Sequence, residues 1–265
     1  MSGQGVLQER GGLWCGRRWI FEKLPSTNRW ALDNSKLLRN GDAVVARQQT
    51  AGRGRFDRIW QSPGTENLTV SFCIDVDPAK PPPSLLPAAA AVAVRNTLFK
   101  AGAPATLKWP NDVICCNRKI AGILAEQDSL HENRIILGIG ININPAAPIE
   151  VENGRLPAVG LHQVDGGCRW GTEQLLSELV IHLELWLKAV QNDPHTLLEE
   201  WRKYDALAGR QLSITTAAGR INGSYAGIDG QGRLLLQEET GNISAHWAGD
   251  VSISGTIPAG TGLSQ

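Results

Sequence analysis

The pattern of hydrophobic and polar positions divides the chain into two parts. Between about residues 19 and 207, apolar segments of strand length alternate with longer apolar segments of helical spacing. The later apolar runs are short and separated by glycines, a pattern typical of a small all-β unit. We therefore predict one domain over 19–207 and a second over 208–265. The glycine- and arginine-rich residues 1–18 are expected to form a flexible N-terminal segment.

The first domain is predicted to combine several strands with four helices. Ser26 can cap a helix that Gly41 ends, and further helices are predicted over 84–100, 172–190 and 194–204. Strands that follow one another closely favour a mixed or antiparallel sheet, so the predicted class is α+β with packed helices. Asn117 and Arg118 are expected to form a tight turn between two strands. The predicted strands are 19–24, 43–47, 67–74, 107–109, 113–116, 119–126 and 134–143.

The second domain is predicted to consist of short strands only. Glycines break its apolar runs into lengths that suit strands. The domain boundary is placed near residue 207, where the short apolar runs separated by glycines begin. The predicted strands are 211–216, 220–228, 233–238 and 243–247.

Composition and charge narrow the classes of function. Lys plus Arg and Asp plus Glu each number 26, so no overall field favours nucleic acid or an anionic membrane. No apolar run is long enough for a membrane span or a signal peptide, and we expect a soluble, cytoplasmic protein. The five cysteines form no CxxC pair, which favours reduced thiols over disulfides or a zinc site.

The segment 52–60 reads GRGRFDRIW and has the composition of an anion-binding loop. Its glycines allow close approach of the backbone to a ligand, and the planar forks of its arginines suit phosphate or carboxylate. From these residues alone, a disordered or RNA-contacting basic loop is an equal alternative. The chain lacks GxxxxGK[ST] and the third glycine of a dinucleotide fingerprint, which disfavours P-loop and Rossmann chemistry.

Two further segments carry candidate chemistry. Lys108 to Asp112 read KWPND, and Lys119 opens the next strand, where it can place a fixed positive charge beside a reacting phosphate. A surface ion pair and a solvated strand end are the structural alternatives. The segment 138–144, GIGININ, suits either backbone contacts to a nucleotide or close packing of strands. No histidine has metal-ligand spacing.

Taken together, these motifs resemble the biotin protein ligase family. The resemblance rests on GRGRxxRxW, on KWPND followed by RKIAG, and on Ser26, Thr27, Asn28 and Gln49 before them, and it spans about residues 19–255. It implies an α+β catalytic domain with a mixed or antiparallel sheet, similar to class II synthetases. It also implies a C-terminal β-barrel of SH3-like type.

The resemblance also implies roles for individual residues. Lys119 and Arg55 would be catalytic, because they would hold the biotin carboxylate and the α-phosphate. A weaker set would bind ATP or the adenylate: Trp60, which could stack on adenine, with Lys108, Asn111, Asp112 and Asn142. No protein metal site is implied, since Mg²⁺ would arrive with ATP. The biotin-binding residues would be Ser26, Thr27, Asn28, Gln49, Arg53, Gly54, Arg55 and Lys119.

The implied reaction joins biotin to a lysine of a biotin carboxyl carrier protein, such as that of acetyl-CoA carboxylase. It consumes ATP, passes through biotinyl-5′-AMP and releases pyrophosphate and AMP. The resemblance allows a homodimer. It implies no DNA-binding module, since only about 25 residues precede Ser26. Asp57 replaces a glycine common in the family, which leaves the rate of loop closure open.

Three other functions are compatible with parts of these motifs. A lipoate-protein ligase would share the fold and the adenylation chemistry, but Gln49 and the GRGR motif favour biotin. A catalytically silent biotin- or adenylate-binding module would keep the pocket without turnover, and the intact Arg53, Arg55 and Lys119 argue against it. A nucleic-acid-binding protein is opposed by the zero net charge.

Overall fold

The computed structural model describes residues 5–9, 16–56, 58–77, 79, 83–145, 156–216 and 219–253. Asp57 and most of the N-terminal segment lie outside the described residues. Ten strands belong to the first part of the chain. They are β1 (Val6–Glu9), β2 (Arg17–Leu24), β3 (Ala43–Gln49), β4 (Gly52–Arg53), β5 (Ile59–Trp60), β6 (Leu68–Asp75), β7 (Thr106–Lys108), β8 (Asp112–Cys115), β9 (Arg118–Gln127) and β10 (Arg134–Ile141).

One eight-stranded sheet organises this part of the molecule. Its order is β1-β2-β3-β6-β10-β9-β8-β7, and β4 pairs with β5 in a separate ribbon above it. Strands β2 and β3 run parallel, whereas the other neighbouring pairs of the sheet are antiparallel. The predicted α+β class with a mixed sheet is therefore confirmed.

Helices cover the two faces of the sheet unequally. Helix α1 (Thr27–Asp33) packs on one face, against β3, β6 and β10. Helix α2 (Leu86–Lys100) packs on the other face and is buried along most of its length, because its alanines allow a close approach. Helices α3 (Thr172–Asn192) and α4 (Pro194–Lys203) pack against α2 and complete a large core. None of the described helices has the length and apolar character required to span a membrane.

Several predicted element boundaries were wrong, for local reasons. Helix α1 ends at Asp33 rather than near Gly41, because the Asn34 side chain donates to the Trp30 carbonyl and a 3-10 turn follows. Helix α3 begins at Thr172 as predicted, with Gly171 at its N-cap, but it continues to Asn192. The β8–β9 turn lies one residue earlier than predicted, at positions 116 and 117, whose φ angles are 52° and 57°. Strand β1 was not predicted.

The C-terminal part forms a second, antiparallel sheet. Its order is β14-β13-β12-β11-β15, and no pairing between β14 and β15 closes it among the described residues, so the SH3-like barrel is not confirmed. The half-buried Asp205 carboxylate ties this sheet to the first part, because it accepts hydrogen bonds from Trp201 and Tyr225. The strands are β11 (Gln211–Thr216), β12 (Gly219–Ile228), β13 (Leu234–Gln237), β14 (Ile243–His246) and β15 (Asp250–Ile253).

Candidate active site

The N-terminus of α1 begins a buried polar network. Ser26 caps the helix, and its hydroxyl accepts from the Arg29 N–H at 3.4 Å. The Gln49 Oε1 atom, at the end of β3, accepts from the Thr27 backbone N–H at 2.7 Å and from its hydroxyl at 3.1 Å. The first turn of α1 and the end of β3 therefore bring Ser26, Thr27 and Gln49 close together.

Asn28 extends this network across the sheet. Its Nδ2 donates to the Leu124 carbonyl at 3.2 Å and to Glu126 Oε2 at 2.8 Å, while its Oδ1 accepts from the Ser71 hydroxyl at 2.5 Å. Gly138 leaves the space for this amide, because a Cβ there would lie 2.2 Å from Asn28 Oδ1. The donor and acceptor sides of the amide are therefore fixed by protein partners.

Three glycines form a flat floor beside this network. Gly122 and Gly140 are cross-strand partners on β9 and β10, and Gly138 lies two residues before Gly140. We call these three residues the glycine floor. The Trp60 indole lies directly on the glycine floor. A Cβ at Gly140 would approach the indole to 2.4 Å, and one at Gly122 would approach it to 3.0 Å. Side chains at these positions would displace the tryptophan.

The predicted anion loop folds over this region from β4 to β5. The Gly54 N–H donates to the Arg58 carbonyl at 2.7 Å, which closes the ribbon. Arg53 forms an ion pair with Glu126 Oε1 at 2.9 Å, so Glu126 joins the loop to Asn28. Burial lowers the pKa of Arg55, and the nearby Asp112 charge partly offsets this effect.

Lys119 lies near the start of β9, shortly before Gly122 of the glycine floor. Its Nζ pairs with Asp112 Oδ1 at 2.5 Å and lies 5.5 Å from the centre of the Trp60 ring. Its backbone is fixed on both sides, since its N–H donates to the Pro157 carbonyl and its carbonyl accepts from Val159. The lysine therefore presents a positioned ammonium group at the edge of the glycine floor.

Two predicted residues have partners away from the floor. Lys108 donates to the Val251 carbonyl in β15 at 3.2 Å, and burial lowers its pKa while Asp112 opposes that shift. The Asn111 side chain donates to the Ile123 carbonyl at 2.7 Å, which fixes the β7–β8 connection to β9. Both side chains are therefore held by backbone carbonyl groups of the protein. A cavity of about 340 Å³ lies beside Asn111, between Arg55 and Trp247, the residue after β14.

Asn142 and Trp60 carry polar atoms that are buried without a partner among the described residues. Asn142 Nδ2 donates to the Lys119 carbonyl at 3.4 Å, but its Oδ1 accepts no hydrogen bond there. The Trp60 Nε1–H, over Gly140, likewise has no acceptor. Leaving such a group unpaired costs about 1–3 kcal/mol. One free acceptor and one free donor at the floor suit a ligand that offers both.

Ser71 and Glu126 were missed by the analysis of the sequence. Both lie in strands with largely apolar neighbours, and a polar residue in that setting is the signal that could have identified them. The described residues contain no cluster of three His, Cys, Asp or Glu side chains that could hold a metal ion.

Comparison with known proteins places the chain in a family. The model of the biotin/lipoate A/B protein ligase family matches residues 20–144. The chain is 32% identical over 238 residues to the bifunctional ligase/repressor BirA of Salmonella typhimurium, covering 88% of this chain and 73% of that protein. It is 30% identical over 231 residues to the biotin–[acetyl-CoA-carboxylase] ligase of Paracoccus denitrificans, covering 84% of this chain and 95% of that protein.

A solved structure agrees with these sequence matches. The biotin protein ligase of Aquifex aeolicus in complex with biotin and ATP superposes with a TM-score of 0.76 at 25% identity. The match covers 90% of this chain and 99% of that one. The resemblance inferred from the motifs is therefore confirmed, and the chain belongs to the biotin protein ligases of the biotin/lipoate A/B protein ligase family.

Proposed function

We propose that this chain uses ATP to join biotin to a lysine of a biotin carboxyl carrier protein. The observation that carries the proposal is the glycine floor, which has the uncharged side chains of the α1 turn and Gln49 on one side and Lys119 on the other. A ureido ring needs donors and acceptors without charge, whereas a carboxylate and a phosphate need cations. The two sides match the two ends of a biotin molecule being activated.

The neutral side would bind the ureido ring of biotin. Ser26, Thr27, Asn28 and Gln49 present hydroxyl, amide and backbone groups within one buried network. Ser71 and Glu126 already orient the Asn28 amide, so little ordering entropy is lost there when the ring binds. Gly138 keeps the Asn28 amide in place.

The charged side would bring two anions together. In the first step the biotin carboxylate attacks the α-phosphorus of ATP, pyrophosphate leaves, and biotinyl-5′-AMP forms. Lys119, Arg53 and Arg55 would offset the repulsion between carboxylate and phosphate and stabilise the charge that develops at phosphorus. Gly54 allows the loop backbone to approach the same groups.

The nucleotide would lie along the floor near Trp60 and Asn142. The Trp60 ring offers a stacking surface, and its free N–H together with the free Asn142 carbonyl matches the acceptors and donors of adenine. Asp112 fits a metal ion held mainly by phosphate oxygens and water, since Mg²⁺ needs few protein ligands. Such an ion would neutralise phosphate charge when bound.

In the second step the carrier lysine attacks the acyl carbon of biotinyl-5′-AMP. The acyl–phosphate bond breaks, AMP leaves with the bonding electrons, and the lysine loses a proton as the amide forms. Lys119 would remain beside the leaving phosphate and stabilise its charge. The loop over residues 52–60 would exclude water from the mixed anhydride until the carrier arrives.

The proposal extends to domain organisation, partners and location. Division into domains at about residue 207, an SH3-like C-terminal barrel and a homodimer stay predictions. The free cysteines Cys73, Cys115, Cys116 and Cys168 suit a reducing compartment, which supports a cytoplasmic location. The zero net charge supports the absence of nucleic-acid and membrane partners.

One assay tests the proposal against its alternatives. The protein is incubated with Mg-ATP, a biotin carrier domain and either biotin or lipoate, and the mass of the acceptor is followed. We expect a gain of one biotinyl group that requires both biotin and ATP. A gain only with lipoate would support the lipoate ligase instead, and binding of biotin without any acceptor modification would support a silent binding module.

A further inference from the structure

Two adjacent cysteines occupy the hairpin between β8 and β9. Cys115 is the last residue of β8 and is buried, whereas Cys116 begins the turn and is exposed. The φ angles of Cys116 and Asn117 are 52° and 57°, the signature of a two-residue type I′ turn. In this turn the two sulfur atoms lie 3.7 Å apart. Residues next to each other in an extended strand would point to opposite faces, so the turn is what brings the thiols together.

This separation fits a bridging atom better than a disulfide. Two sulfurs bonded at about 2.3 Å to one shared atom stand about 3.8 Å apart at a tetrahedral angle, and they need to close only slightly around a pyramidal centre. A disulfide requires about 2.05 Å, and its Cα atoms are usually at least about 4.4 Å apart, whereas neighbouring residues are fixed at about 3.8 Å. The hairpin can therefore hold a shared partner atom more readily than it can form a disulfide.

The surroundings limit what that partner can be. No third His, Cys, Asp or Glu side chain joins the pair within the described part of the chain. Zinc, which takes four ligands in a closed structural site, would be left half-coordinated. A centre with two exchangeable positions and a strong preference for sulfur would be satisfied.

We propose that Cys115 and Cys116 form a dithiol site that chelates monosubstituted trivalent arsenicals. The reaction is a condensation without oxidation or reduction. The R–As=O group and two S–H groups give R–As(S)₂ and one molecule of water, so two As–S bonds replace the arsenic–oxygen bond and two S–H bonds. The product is a ring that joins two consecutive residues at the start of the turn.

Exposure sets the order of the two bonds. Cys116 is the thiol that solvent reaches, so the first As–S bond forms there. Burial raises the pKa of Cys115 to about 12, which makes it a poor nucleophile for a reagent in solution. Its reaction becomes intramolecular once arsenic is attached to Cys116, and proximity then compensates for its low reactivity.

The site is also close to the residues assigned to catalysis. In the β8–β9 register Cys115 pairs with Arg118, and Ile114 pairs with Lys119. A ring across the turn would shift the strand start that positions Lys119. If the proposed function holds, occupancy should slow adenylate formation tenfold or more, because a displacement of about 1 Å can cost on the order of a hundredfold in rate.

The test uses phenylarsine oxide as the probe and intact-protein mass as the readout. We expect one equivalent to bind, to resist excess 2-mercaptoethanol and to be removed by a dithiol such as dithiothreitol. After trypsin digestion, the label should lie on the peptide over 109–118, which contains both cysteines. Cys116→Ser should lose the monothiol-resistant label, and Cys115→Ala should do the same if its thermal unfolding resembles that of the wild type. Cys168→Ser, which removes another exposed thiol, should keep it.

Other results would overturn the proposal. A label that 2-mercaptoethanol removes would mean single-thiol attachment, and a resistant label that survives Cys116→Ser would place the site elsewhere. Pyrophosphate release that is unchanged in fully labelled protein would overturn the effect on Lys119. Absence of release from unlabelled protein would instead count against the proposed function, while the mass result would still decide whether the dithiol site exists.

Discussion

The two sides of the glycine floor differ in how their polar groups are satisfied. On the α1 side, Thr27 and Asn28 are buried, and neutral partners together with one carboxylate complete their hydrogen bonds. On the loop side, Lys119 is paired with Asp112 and Arg53 with Glu126, and all four side chains remain partly exposed. Partly exposed ion pairs contribute little to stability, so replacing a carboxylate by a ligand anion costs little free energy. One side is therefore preformed, and the other is balanced by carboxylates that a ligand can replace.

The largest expected effect comes from removing the charge at the edge of the floor. Lys119→Ala should lower the rate of adenylate formation on the order of a hundredfold, or about 3 kcal/mol, because the fixed positive charge beside the carboxylate and the phosphate is lost. Pyrophosphate release measures the rate, and circular dichroism checks the fold. Lys188→Ala, at an exposed lysine on α3, is the matched control. A variant that releases pyrophosphate at the wild-type rate would remove Lys119 from the mechanism.

An intermediate effect is expected from filling the space beside Asn28. Gly138→Ala would place a Cβ 2.2 Å from Asn28 Oδ1, so the amide must move and lose partners. We expect biotin binding to weaken by about 1–3 kcal/mol, roughly five- to hundredfold, with a smaller change in the KM for ATP. Titration calorimetry with biotin measures this. Gly171→Ala is the control, because nothing lies within 4 Å of a Cβ there. Equal weakening of biotin and ATP would contradict a preformed biotin side.

The smallest effect is expected at Glu126, which joins the two sides. Glu126→Gln keeps an acceptor for Asn28 but removes the charge that holds Arg53. Loss of this partly exposed pair, about 0.2–1 kcal/mol, should speed trypsin cleavage after Arg53 or Arg55 by about fivefold at most and leave biotin affinity nearly unchanged. Glu22→Gln, which breaks the exposed pair with Arg47, serves as the control. A large loss of biotin affinity would show that the carboxylate charge belongs to the neutral side.

The sequence motifs indicated which residues belong to the candidate site, but they did not indicate the distances between them. Gln49, Thr27 and Lys119 could be predicted because their motifs identify the family. The function of Gly138 could not, since it depends on the distance to a helix more than a hundred residues earlier in the chain. Glu126 was missed for the same reason: its partners come from α1 and the loop, and only the folded sheet brings them together.

Local structure was predicted where patterns are strong and missed where side chains compete with the backbone. The alternating strands and the apolar helices lie close to their predicted positions. The end of α1 depends on an asparagine hydrogen bond, and the position of the β8–β9 turn depends on a cysteine with positive φ. Neither is visible in the hydrophobic pattern. The early turn is also what places Cys115 and Cys116 in contact.

The most direct test of the central claim is to identify what the protein holds when no acceptor is present. The protein is incubated with biotin and Mg-ATP, separated from free ligand and analysed by native mass spectrometry. If the neutral and charged sides act on one biotin molecule, the bound species should have the mass of biotinyl-5′-AMP, and it should be lost with Lys119→Ala. Recovery of biotin and intact ATP as separate ligands would contradict the account.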